Sequence, residues 1–169
     1  MSISQSLLPE FDHEMANTRK VLERIPVDKL EWKAHPKSNT IGWVGMHLAD
    51  IPGWATMTFT KDALDIAPPG QEPYRMPKAE SVDAILERFD KNVAAGRAAL
   101  AVAKDEDFFK PWSLLSGGAT ILTMPRMAVL RNFVLNHNVH HRAHMCVYLR
   151  LNNVPVPGLY GPSADESGM

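Results

Sequence analysis

A chain of 169 residues, 45% hydrophobic and 22% charged with a formal net charge of -1, suits one domain with a real core. Its scattered Lys and Arg leave no electrostatic footprint for nucleic acid or anionic lipid, and no stretch approaches the roughly 20 uninterrupted apolar residues of a membrane span. Cys146 stands alone, which excludes an internal disulfide framework and suits a reducing, cytoplasmic setting. The acidic residues of MSISQSLLPEFDHEM argue against a secretory signal.

Helical periodicity comes first from about Ser4 to Arg24, where Leu7, Phe11, Met15, Thr18, Leu22 and Ile25 recur at three- and four-residue spacing until Pro26 stops them. A polar connection ends in Ser38, Asn39 and Thr40, which read as an N-cap. A second helix, from about Ile41 to Lys61, presents Val44, His47, Ile51, Trp54 and Thr58 on one face, with Pro52 inside it predicting a kink. APPGQEPYRMPKAE is a long proline-rich loop. Ser81 then caps a third helix, with Asp83 in its first turn and Ile85, Phe89, Val93, Gly96 and Leu100 on its inner face.

KPWSLLSGGATILTMP holds a Gly-Gly pair and reads as a loop with room for a small hairpin; no strands are assigned to it. A fourth helix is predicted from near Pro125 to about Leu151. The tail, about 152–169, is too rich in Pro and Gly to be regular. The expectation is a single all-α domain, residues 1–169, folded as a four-helix bundle with long connecting loops.

The chemistry gathers at NHNVHHRAHM, residues 136–145, which puts four of the seven histidines into eight positions. A metal site, an acid/base centre and a polar helix face all remain open. A helical wheel through the fourth segment centres its apolar stripe on His137, His141 and His144, with His140 at the flank and Arg142 and Cys146 on the far side. Inward imidazoles need partners, and two at i and i+4 can bite one cation. His47 supplies a third imidazole on the inner face of the second helix. Bundles build metal sites from such facing side chains. Three neutral imidazoles suit zinc or nickel better than magnesium or calcium, and leave a coordination position open for water or substrate.

HPKSNTIGWVGMHLAD followed far downstream by NHNVHHRAHMCVYLRLNNVPVPGLYGPSADE resembles the DinB-like superfamily, also called DinB/YfiT-like, over most of the chain. That resemblance implies a four-helix bundle, often a homodimer, with a divalent metal held by His47, His137 and His141. One departure stands out. The family usually has Gly-Gln after HHR, whereas here HHRAH puts His144 at the glutamine position. Packing or a hydrogen bond to a ligand is the preferred reading of His144 over direct ligation.

Asp50, three residues after His47, either orients an imidazole or is a solvated helix residue. Arg142, on the outer face of the wheel, reads as a salt-bridge partner rather than a substrate contact. Trp43, Trp54, Met46 and Met57 read as core or pocket wall. Ser38 and Ser116 have no nearby His/Asp arrangement to make a nucleophile, and Cys146 lacks an activator, so it reads as a structural thiol. No phosphate loop or dinucleotide fingerprint is present, and no catalytic residue beyond the metal ligands is assigned.

Some members of the superfamily are transferases using low-molecular-weight thiols, and one is a maleylpyruvate isomerase. The resemblance therefore implies a metal-dependent S-transferase acting on a small molecule with such a thiol. The alternatives are a metal-dependent hydrolase and a non-catalytic metal-binding, stress-related protein.

Overall fold

The computed structural model of the protein describes residues 1–166, so the last three residues of the expected irregular tail lie outside the described part. The first three long helices each begin where a side chain can cap them. Ser2 accepts from the Gln5 amide and Gln5 returns the bond to the Ser2 backbone, opening α1 (Ile3–Leu22) with a capping box. Thr40 caps α2 (Ile41–Thr60) through the Trp43 amide, and Ser81 caps α3 (Val82–Val102) through the Ala84 amide.

The last helix is composite. α4 (Arg126–Val129) runs into a π-helical segment (Leu130–Asn136), which runs into α5 (His137–Leu151).

Around the bundle the order is α1, α3, α2, α5, each packed on the next and α5 packed back on α1. Phe11, Leu48, Ile51, Phe89, Leu100, Leu130, Val134, Met145 and Leu149 fill the space between them. α2 runs unbroken through Pro52. There α3 comes unusually close: a Cβ on Gly96 would sit 2.3 Å from the Pro52 carbonyl oxygen, so only glycine fits. Most of α2 is buried; its open strip carries Trp43, His47, Trp54 and Met57.

Three short strands qualify the all-helical expectation. β1 (Ala63–Asp65) pairs parallel with β2 (Pro111–Ser116), and β2 pairs antiparallel with β3 (Ala119–Pro125). Gly117 and Gly118 make the two-residue turn, both at positive φ (61° and 79°), the backbone that glycine adopts without penalty in a hairpin of this kind. Asp65 ties the turn to β1, its carboxylate accepting from the Gly117 and Gly118 amides at 3.1 and 2.7 Å. The sheet packs against α2 and α4, and Leu64, Trp112 and Leu114 line the cavity there. Among the described residues no helix is long and apolar enough to cross a membrane.

Candidate metal centre

The π-helical segment decides which way the histidines point. A π turn bonds i to i+5 and holds an extra residue, so it rotates everything downstream by about 100° against a regular α-helix. A wheel anchored on Leu130 and Val134 therefore mis-sets α5. Its buried stripe is Asn138, Arg142, Met145 and Leu149. His137 and His141 lie one residue ahead of that stripe, half-buried at the edge facing α2, while His140 and His144 are exposed. Two expectations are corrected. His144 does not face the core, and Arg142 is not on the outer face but 1% exposed. The salt bridge expected of Arg142 exists, to Glu14 at 2.6 Å.

His47, on α2, meets His137 and His141 across the interface. The His137 Nε2 lies 3.1 Å from His47 Nε2 and 2.8 Å from His141 Nε2. One ring nitrogen carries either one proton or one lone pair, so it makes one good hydrogen bond, not two. The second contact is left as crowding between nitrogens. A cation at their centre would turn three competing lone pairs into ligands. Tetrahedral zinc, with bonds of ~2.0–2.1 Å, spaces its nitrogens at roughly 3.3–3.4 Å, so the rings need part by only a few tenths of an ångström.

Electrostatics prepares the same three atoms. Burial, then the neighbouring imidazole His137, lowers the His47 pKa to about 4. Burial, then the surrounding histidines, lowers that of His141 to about 3. Burial also lowers that of His137. All three are neutral at pH 7, the state a metal ligand needs. Their nitrogens all lie within 4.8 Å of one another, which makes the group able to hold a metal ion.

The rings are held mainly by packing. Trp43 stacks on His47 with centroids 4.7 Å apart, and the edge of Trp54 meets His47 at 5.5 Å and His137 at 5.4 Å. The His141 Nδ1 is buried without a hydrogen-bond partner, so His141 lacks the outer hydrogen bond that usually orients a metal-bound imidazole.

Asp50 is neither of the things its spacing suggested. It is 5% exposed and accepts from Tyr74 Oη at 2.7 Å and from Arg88 Nε. Burial, and then Asp50, pushes the Tyr74 hydroxyl up to about 12, so it stays a donor. Cys146 is half-buried, and burial pushes its thiol up, as a structural thiol requires. Met46 is core, Trp54 and Met57 are cavity wall, and Trp43 is exposed over His47.

Beside His137 opens a cavity of about 270 Å³, walled by Trp54, Met57, Leu64, Trp112, Val129 and Phe133 among others. None of its described lining residues is charged. A second cavity of about 490 Å³ shares Trp54, Met57, Leu64 and Ile66 with it and ends on Asp50, Tyr74 and Arg88. Sequence reading missed the walls that come from the sheet, because their strands were not assigned. The alternation of Trp112 and Leu114 ahead of the Gly-Gly pair was the available signal.

The sequence model of the DinB superfamily matches residues 10–145. The fold is similar to the crystal structure of a DinB-like protein from Bacillus cereus, with a TM-score of 0.68 at 23% identity, covering 94% of this chain and 98% of the other. No curated protein matches the chain.

Proposed function

The chain belongs to the DinB superfamily, and from that premise we propose that it is a metal-dependent enzyme joining a low-molecular-weight thiol to an apolar electrophile. The observation that carries the reading is the convergence of three neutral imidazole nitrogens beside an uncharged cavity. His47, His137 and His141 would hold a divalent transition metal ion, for which zinc or nickel best suits an all-imidazole set. When bound, such an ion supplies a Lewis acid that lowers the pKa of a thiol or water at its open position.

The protein's own residues favour the thiol. Among the described residues around the cavity, the only side-chain hydroxyl is that of Thr58, which already donates to the Trp54 carbonyl at 2.8 Å. No carboxylate among the described residues lines the cavity to take a proton from water. A thiol starts ~7 pKa units closer to ionisation than water, so it needs less help from a base. The apolar walls receive the body of the electrophile and exclude water. The sulfur bonds to the electrophilic carbon, the leaving group departs with the bonding electrons, and the thiol proton goes to solvent. Trp54 and Met57, at the seam between the two cavities, set how large an electrophile fits.

The test is turnover of an aryl halide such as chlorodinitrobenzene by zinc- or nickel-loaded protein, against a panel of thiols that includes cysteine and glutathione. Thiol-dependent product that disappears in His137→Gln is expected. Metal bound at one ion per chain with no turnover on any thiol would favour a non-catalytic scaffold. Ester or amide cleavage without thiol would favour the hydrolase.

A further inference from the structure

We propose that His140 and His144 form a second, outer site for a divalent transition metal ion, from which ions pass inward through His141. The capture step stands on these two residues alone; the passage rests on the inner cluster being a metal site.

His140 and His144 sit one turn apart on α5, both exposed, with ring centroids 4.3 Å apart and edge-on. That is the i,i+4 pair that lets two imidazoles close on one ion. His141 lies between the two histidine groups. Its ring centroid is 4.9 Å from His140 and 5.6 Å from His144 on one side, and 4.5 Å from His47 and 4.7 Å from His137 on the other. Nitrogens of His140, His141 and His144 all lie within 4.8 Å of one another, as do those of the inner three. His141 is the member common to both groups.

The two sites differ in ways that order them. Exposed imidazoles take an ion without shedding its whole water shell, so capture is fast and weak. The inner three are half-buried among Trp43, Trp54 and the cavity walls. There a third imidazole replaces water, so an ion is held more tightly and released slowly. His141 turns its Nε2 toward His137 and leaves Nδ1 unpartnered, but a neutral imidazole has one lone pair to give and so cannot ligate two ions at once. It therefore serves the two sites in turn, which makes the outer pair a loading station rather than half of a permanent two-metal centre.

The experiment titrates metal-free, untagged protein with Zn²⁺ and Co²⁺ by calorimetry, and follows Co²⁺ uptake by absorbance in stopped flow. Wild type is expected to show one tight and one weak class. The double variant His140→Gln/His144→Gln should lose the weak class, keep the tight one, and load it at least several-fold more slowly when metal is limiting. His47→Gln should do the reverse, losing the tight class and keeping the weak. Circular dichroism checks that each variant folds.

A weak class that survives the double variant would overturn the outer site, as would a wild type with the tight class alone. Loading at the wild-type rate in the double variant would overturn the passage. A weak class present without any tight class would sink the inner reading and leave outer capture standing.

Discussion

One helix, α5, carries buried or half-buried polar groups on two faces, and they are treated in opposite ways. Toward α1, Arg142 Nη2 donates to Glu14 Oε2 at 2.6 Å and to the Tyr160 hydroxyl, while Nη1 donates to the Glu14 carbonyl at 2.9 Å. Tyr160 Oη in turn donates to Glu14 Oε2 at 2.7 Å, and the Thr18 hydroxyl bonds Asn138. Toward α2, His137 and His141 meet His47 with more nitrogens than the protons between them can serve. Both faces use the same i,i+4 spacing. The difference teaches that burial of a polar group is not itself a functional signal: toward α1 the charges are paired and hold the bundle together, leaving Asn138 Nδ2 over, and the face where three ring nitrogens crowd on one another is where a ligand belongs.

The largest effect should come from breaking the paired face. Arg142→Ala leaves the Glu14 carboxylate, mostly buried against the bundle, without its cation. Removing one partner of a buried pair costs about 3–5 kcal/mol, read as a lower midpoint in urea unfolding. Metal bound per folded chain should not change. A loss under about 1 kcal/mol would place this pair with exposed ones and weaken the contrast.

His141→Ala attacks the other face and should behave differently. In the metal-free protein it removes a crowded nitrogen, so stability without metal holds or rises. With zinc at a hundred times its Kd, wild type gains about 2.7 kcal/mol and the variant gains nothing. A pH series sharpens this. His47 and His141 are held neutral in the fold, with pKa values of about 4 and 3 against an ordinary 6.5. Below about 6.5 the unfolded chain binds protons that the native chain refuses. The share of metal-free stability that these two imidazoles contribute is therefore complete above that pH, falls as the pH drops toward 4 and then 3, and is gone below. His141→Ala should flatten the fall relative to wild type; an unchanged slope would show that this imidazole is not held neutral.

The contrast also marks what could be read from the sequence. Caps at Thr40 and Ser81, and apolar spacing in four segments, placed the helices, and the three histidines that the resemblance implies, His47, His137 and His141, come together in the fold. What failed was register. Periodicity assumes one helix geometry throughout, and the π segment at Leu130–Asn136 carries no side-chain signature that a 3.6-residue wheel detects. Arg142 and His144 were misplaced for that one reason. Asp50 was misread because its partners, Tyr74 and Arg88, come from a loop and another helix, which spacing along α2 does not report. The sheet escaped because its strands are three to seven residues long and hang on one Gly-Gly turn.

The smallest expected effect tests whether the two faces are independent. Tyr160 belongs to the irregular tail, and its ring lies 5.3 Å from the Arg142 guanidinium while its hydroxyl joins Arg142 to Glu14. Tyr160→Phe keeps the ring and deletes only the hydroxyl. Because Tyr160 is 66% exposed, water replaces part of what is lost, and the cost should fall near the low end of a net hydrogen bond, about 0.5–1 kcal/mol. Combined with Arg142→Met the two losses should not add, since both variants break one network; a coupling of at least about 0.5 kcal/mol in the double-mutant cycle is expected. Zinc affinity should be the same in Tyr160→Phe as in wild type. If the hydroxyl's removal instead weakens zinc, strain from the tail is reaching His137 and His141 through α5, and the helix is one coupled unit rather than two separate faces.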